Sequence, residues 1–205
     1  MQNVTDRTSN PFDMRPPCDA FVPGYGDANA DFHAIGDHPG IHGGAETGVP
    51  LTETPAAERF RDALAAVGLL DEHAEPANLF LSYLHACVAE ETPSEREYTE
   101  LEPFFDAELR AITAHVLLPV GERATRHVLR EYTAIDPDSV TLADVHAEEL
   151  HGSGWLVVPA LDPAEWTDAD ETAYIDALAD IRESDYFREA DLGRFLVESE
   201  RYLVR

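Results

Sequence analysis

The sequence predicts an α/β protein, a three-layer α/β/α arrangement around a central, mainly parallel, four-stranded sheet. Four short, largely apolar runs alternate with helix-patterned stretches, and right-handed crossovers turn such an alternation into a parallel sheet covered on both faces. A chain of 205 residues, 44% of them apolar, suffices for one domain that removes roughly 70% of its unfolded surface from water.

Residues 1–20 are polar and contain Pro11, Pro16 and Pro17, and read as an arm with little regular structure. A single domain over residues 21–205 follows, with two C-terminal helices from about residue 168. The first strand is expected at 31–35, running into the loop Gly36-Asp37-His38-Pro39-Gly40. Thr54 and Pro55 supply an N-cap with proline in the first helical position, and Phe60, Leu64 and Val67 repeat at helical spacing as far as Gly68. A second strand is expected within 79–87. After a charged connection, Phe104, Phe105, Leu109 and Ile112 place a helix that begins near Pro103. The third strand is expected at 115–119, and Gly121 opens a helix through Arg130. The run 155–160, bounded by Gly152 and Gly154 on one side and Pro163 on the other, is the fourth strand. Of the two final helices, one carries Tyr174, Ile175, Leu178 and Ile181, the other Leu192, Phe195, Leu196 and Leu203.

Charge sets the environment. There are 41 acidic residues against 14 basic ones, all arginine, for a formal net charge of -27. Self-repulsion of that size strains a small fold in dilute buffer, whereas molar salt shortens the Debye length to roughly 3 Å. The composition fits a salt-rich cytoplasm, and the apolar periodicity excludes an acidic disordered chain. No run approaches the roughly 18 apolar residues of a membrane span, and the first residues lack a basic-then-apolar signal pattern. The two cysteines, Cys18 and Cys87, fall short of the four thiolates of a closed zinc or iron-sulfur site, so no cofactor is expected. They read as two small buried side chains, or as a disulfide if the fold brings them together.

Loops at the carboxyl ends of parallel strands build the site, which singles out Gly36-Asp37-His38-Pro39-Gly40 and Pro159-Ala160-Leu161-Asp162-Pro163. Gly36 and Gly40 let backbone approach a ligand, Pro39 stiffens the loop, and Asp37 is placed to orient a water as general base. As local structure alone, the same string is a tight turn with a capping aspartate.

These loops carry a resemblance. The segments Gly24-Tyr25-Gly26-Asp27-Ala28-Asn29-Ala30-Asp31, Gly36-Asp37-His38-Pro39-Gly40 and Thr47-Gly48-Val49-Pro50-Leu51 resemble the opening of the iron-sulfur type uracil-DNA glycosylases, which reads G-x-G-x-x-x-A-D, a strand, G-E-x-P-G, then G-x-P-F. The likeness continues through 118–124, His151-Gly152 and 157–164. It implies an enzyme that flips a nucleotide out of the stack and hydrolyses its N-glycosidic bond. It also implies a DNA partner, an Asp37 that positions water, and a substrate pocket made by Gly36, Pro39, Gly40, Gly48, Pro50, Leu51, Tyr83 and Pro163.

The departures from the family pattern are as informative. Asp37 stands for the family's Glu, Leu51 for its base-stacking Phe, and Tyr83 falls where a base-reading Asn is expected. Asp162 takes the place of the His that stabilises the leaving anion, and a carboxylate there repels it unless it is kept protonated. Cys18 and Cys87 match cluster positions, but Leu101 occupies another. His38 and His42 flank the first loop, which invites a metal or a replacement electrophile from His38. Arg123, Arg126 and Arg130 share one predicted helix and offer phosphate contacts or simply balance neighbouring Glu. The expected function is therefore a monomeric DNA glycosylase with Asp37, Asp162 and His38 at its catalytic centre. The alternatives are a non-catalytic member of the fold that binds a nucleobase, a nucleotide or a protein, and a hydrolase of another N-glycoside.

With -27 of net charge, the protein is expected to fold cooperatively in molar KCl and to lose that structure as salt is dialysed away. Equal melting midpoints in dilute buffer and in molar salt would contradict this.

Overall fold

The computed structural model describes residues 8–89, 91–112 and 114–183, so the second predicted C-terminal helix lies outside the described residues. In chain order the elements are β1 (Tyr25–Gly26), β2 (Phe32–Gly36), α1 (Pro39–His42), α2 (Pro55–Ala66), β3 (Leu79–Tyr83), α3 (Glu95–Ala111), β4 (Val116–Pro119), α4 (Gly121–Tyr132), α5 (Leu142–Val145), β5 (Leu150–His151), β6 (Leu156–Val157) and α6 (Asp168–Glu183). The sheet order is β1-β3-β2-β4-β6-β5. Its four inner strands, β3-β2-β4-β6, are mutually parallel and are the four read from the sequence, while β1 and β5 pair antiparallel at the two edges. The six-stranded sheet thus exceeds the expected four by two edge strands of two residues each. Two residues are too short to write a period-2 pattern, so only tertiary pairing defines them.

Alternation along the strands divides the core. Phe32, Ala34, Leu79, Leu81, Val116, Leu118 and Leu156 pack with Phe60 and Leu64 of α2 and Tyr174 and Leu178 of α6. On the opposite face Ile35, Leu117 and Val157 pack with Phe105 and Leu109 of α3 and Ala124 and Val128 of α4. Three layers result, as continuous apolar strands covered on both faces require. Arg59 ties α2 to α6, bonding Glu171 at 2.7 Å and the Trp166 carbonyl at 2.5 Å.

The third predicted helix begins earlier than expected. α3 starts at Glu95, because Ser94 and Glu97 form a capping box in which the Glu97 carboxylate accepts the Ser94 N–H at 2.8 Å and its hydroxyl at 2.7 Å. Pro103 lies inside the helix on its exposed side, where water can take the carbonyl freed by the missing N–H.

Residues from 8 onward are strapped to the sheet. The Asn10 N–H donates to the Gly24 carbonyl at 2.8 Å, the Val88 N–H to the Ala20 carbonyl at 2.9 Å, and Cys18 and Cys87 are joined in a disulfide. Of the two readings of these cysteines, the fold brings them together.

One acid is buried beneath this strap. Glu108 of α3 lies beside Gly24, where a Cβ would sit 2.3 Å from its Oε1, so only glycine fits. Its Oε1 has no hydrogen-bond partner among the described residues, and burial pushes its carboxyl up to about 8. Between the ordinary value of 4.5 and about 8 the folded state then holds the proton that the unfolded state releases. Stability therefore falls as pH rises through that window and is retained below it. Glu108→Gln, neutral at every pH, is expected to melt above wild type at pH 8 and close to it at pH 5 in the same salt. Matching midpoints at both pH values would refute a neutral Glu108.

Candidate active site

β2 leads on to β3 at one edge, whereas its other neighbour β4 leads on to β6, so the two connections leave in opposite directions and open a crevice beyond the strands' carboxyl ends. A cleft of about 740 Å³ occupies this place. Asp37 and His42 contribute from the loop after β2, Tyr98 from α3, Gly121 and Arg123 from α4, and Asp162 from the loop after β6.

Asp37 leaves β2 directly after Gly36, whose missing side chain matters because a Cβ there would come within 2.6 Å of the Tyr83 ring. The Asp37 residue is 9% exposed. One carboxylate oxygen accepts the Tyr98 hydroxyl, and the other lies 3.9 Å from Arg123 Nε. Burial first, and then the bond to Asp37, pushes the Tyr98 phenol above its ordinary value, so it remains an O–H donor. Arg123 in turn lies 4.1 Å over the Tyr98 ring and bonds Glu95 at 2.7 Å. The carboxylate is thus fixed by a donor from one helix and faced by a cation from another.

The two histidines of the loop part company. His38 caps the short α1, its Nδ1 accepting the Gly40 N–H at 3.1 Å, and its Nε2 is buried without a partner among the described residues. It does not line the cleft. His42, at the end of α1, does line it. Its Nδ1 accepts the Asp37 N–H at 3.0 Å. Burial lowers its imidazole below the ordinary value, against the opposing pull of Asp162 and then Asp37.

Leu51 and Tyr83 turn inward. Leu51 belongs to the core on the α2 side, at φ 58° in the left-handed region, and its N–H donates to the Tyr83 hydroxyl at 2.7 Å. That hydroxyl faces the carbonyls of His42 and Gly43 at 3.0 and 2.8 Å. Tyr83 therefore pins the 42–51 loop. Gly48 (φ 72°) and the buried Pro50 lie on the same loop, and neither lines the cleft. Gly36, the buried Pro39, Gly40 and the buried Pro163 likewise shape the two loops and place Asp37 and Asp162 without contributing to the cleft wall.

Asp162 is brought to the cleft by local bonds. Its carboxylate accepts the Ala164 N–H at 2.9 Å, and His146 Nδ1 accepts the Leu161 N–H at 3.0 Å. The Gly121 N–H donates to the Ala160 carbonyl at 2.9 Å, joining this loop to the start of α4. Of the sequence-predicted residues, Asp37 and Asp162 share the cleft, while His38, Leu51 and Tyr83 support it from behind. Tyr98 was missed because the stretch before Pro103 read as a charged connection; the Ser94-x-x-Glu97 capping signature would have placed it on the first turns of α3.

The arginines of α4 are largely partnered. Arg126 bonds Glu122, and at 2.8 Å Asp138. Arg123, Arg126 and Arg130 all line the cleft. The iron-sulfur cluster implied by the resemblance does not fit these residues, since the chain's two cysteines are bonded to each other. Among the described residues no group of three or more His, Cys, Asp or Glu is placed to hold a metal, and no described helix is long and apolar enough to cross a membrane.

Residues 23–182 match the family model of the uracil DNA glycosylase superfamily. No curated protein matches the chain.

The pinning of the loop can be tested separately from any chemistry. Tyr83→Phe removes one hydroxyl that serves a buried N–H and two carbonyls, and is expected to destabilise the fold by about 1–3 kcal/mol in denaturation measured in molar salt. A stability equal to wild type would show that the loop is held by other contacts.

Proposed function

The chain belongs to the uracil DNA glycosylase superfamily, and on that premise we propose that it hydrolyses the N-glycosidic bond of uracil or another damaged base in DNA, with Asp37 positioning and deprotonating the water. The observation that carries the reading is the setting of Asp37 at the carboxyl end of β2, held by the Tyr98 hydroxyl and faced by Arg123 inside a cleft of about 740 Å³. Such a cleft has room for an extruded nucleotide, and a base has to be extruded because its glycosidic bond is out of reach inside the duplex. In this reading water adds to C1′ of the sugar as the C1′–N bond breaks. The proton of the water passes to Asp37 and the bonding pair leaves with the base.

Strand binding is proposed to use Arg123, Arg126 and Arg130, with phosphates exchanging against Glu95, Glu122 and Asp138 that now partner the first two. High salt weakens the counterion-release contribution and shifts weight to stacking and backbone donors. The proposal includes a monomer acting as one domain over residues 21–205 in a salt-rich cytoplasm, supported by the -27 charge.

One observation favours a second reading, a non-catalytic member that binds a base or a partner: Asp162 brings a carboxylate into the cleft from the loop where the resemblance expects the anion-stabilising histidine. Absence of base release from uracil, hypoxanthine and xanthine substrates, together with tight binding to an abasic strand, would select it.

Asp37→Asn is expected to reduce base release from uracil-containing single-stranded DNA by about 10²- to 10⁴-fold in molar KCl, with a nearly unchanged melting curve. Release unaffected by this substitution would remove Asp37 from the mechanism.

A further inference from the structure

The cleft holds a second group whose chemistry is fixed by the backbone. A neutral imidazole carries one proton on one of its two nitrogens, and its hydrogen bonds decide which. Because His42 Nδ1 accepts the Asp37 N–H at 3.0 Å, that nitrogen is the lone-pair side and the proton sits on Nε2. The residue is 2% exposed, and burial keeps it neutral although Asp162 and Asp37 both favour its charged form and His38 opposes it. The Tyr83 ring stacks beside it at 6.4 Å and 19°.

The Nε2 edge is left open on the cleft side. A Cβ at Gly121, the first residue of α4, would lie 3.9 Å from Cε1 and 4.0 Å from Nε2, so a side chain there would pack against this edge. Gly121 also begins α4, a twelve-residue helix whose N-terminus has no side-chain cap and whose dipole favours negative charge beside it. Among the described residues no hydrogen bond engages His42 Nε2. The result is a preorganised neutral donor next to Asp37, beside the uncapped N-terminus of α4.

Resting on the glycosylase reading, we propose that His42 is the catalytic electrophile, its Nε2–H donating a hydrogen bond to the base carbonyl oxygen on which negative charge collects as the glycosidic bond breaks. The balance is complete. The C1′–N pair goes to the base, the water oxygen bonds to C1′, the water proton goes to Asp37 and from there to solvent, and the base anion is protonated by solvent. His42 transfers no proton; it stabilises charge, and so substitutes for the histidine missing at Asp162. His38 cannot serve, since its Nδ1 caps α1 and its Nε2 faces the interior.

The test compares two leaving groups in single-turnover reactions in molar KCl: uracil and 5-fluorouracil in single-stranded DNA, the second being the more stable anion. His42→Ala is expected to slow uracil release by roughly 10²- to 10³-fold and 5-fluorouracil release by distinctly less. His42→Gln, which keeps a neutral donor, should recover part of the uracil rate. Imidazole nitrogen NMR of the wild type at pH 7 should show His42 neutral and protonated on Nε2. An equal loss on both bases, which a structural role would give, overturns the proposal, as does an Nδ1-protonated or charged His42. If His42→Ala does not fold, the His42→Gln ratio and the NMR tautomer decide. Wild type that releases neither base would fail the glycosylase reading itself, and this inference with it; wild-type release with an indifferent His42 fails the inference alone.

Discussion

β2 is hydrogen-bonded in parallel to β3 along one edge and to β4 along the other, with Gly36 opposite Tyr83 and Ile35 opposite Pro119. All three strands therefore run out at the same end of the sheet. The connection to β3 turns one way through α2, the connection from β3 crosses to β4 through α3, and neither covers the point where β2 stops. Everything at the cleft depends on this gap. Asp37 emerges into it from β2, Gly121 from β4 and the Asp162 loop from β6, while Tyr98 reaches in from the crossing helix. Had β2 paired antiparallel on either side, a hairpin would close the end where these four segments now meet.

Sequence legibility follows the physics of each part. The inner strands are buried on both faces, so they read as short apolar runs, and each expected strand is present, although β3 stops at Tyr83 within the expected 79–87 and β6 covers only Leu156–Val157 of the expected 155–160. The edge strands Tyr25–Gly26 and Leu150–His151 are made by pairing alone and leave no local trace. The start of α3 was misplaced because Pro103 looks like a first-turn proline, whereas the signal that governs is the Ser94–Glu97 pair. At the site, residue type and loop position were enough for Asp37 and Asp162. They were not enough to separate His38 from His42, two residues of one type in one loop, because the difference is which nitrogen meets which backbone N–H. Leu51 and Tyr83 were placed by their alignment to a known pattern, and the fold uses both as internal supports for the loop.

Charge is partitioned rather than simply abundant. The acidic excess lies at the surface, where mobile ions can screen it, while deep burial disfavours the charged forms of His33 and Glu108. Burial lowers His33 to about 3 and raises Glu108 to about 8. Two of the arginines that line the cleft are held by carboxylates, Arg123 by Glu95 and Arg126 by Glu122 and Asp138. A negatively charged strand would therefore enter by ion exchange rather than by falling into an empty positive field, which places binding under the control of the surrounding salt.

The Cys18–Cys87 bond joins positions 69 residues apart. Read as topology, it closes a covalent ring that contains β1, β2, α1, α2 and β3, and leaves α3, β4, α4 and β6 outside. Asp37 and His42 are on the ring; Tyr98, Arg123, Gly121 and Asp162 are on the open tail. A cross-link of this kind restricts the unfolded ensemble of the ring only. The two walls of the cleft thus belong to parts of the chain with different conformational freedom, and docking the tail against the ring is the step that brings Asp37 its hydroxyl donor and its facing cation.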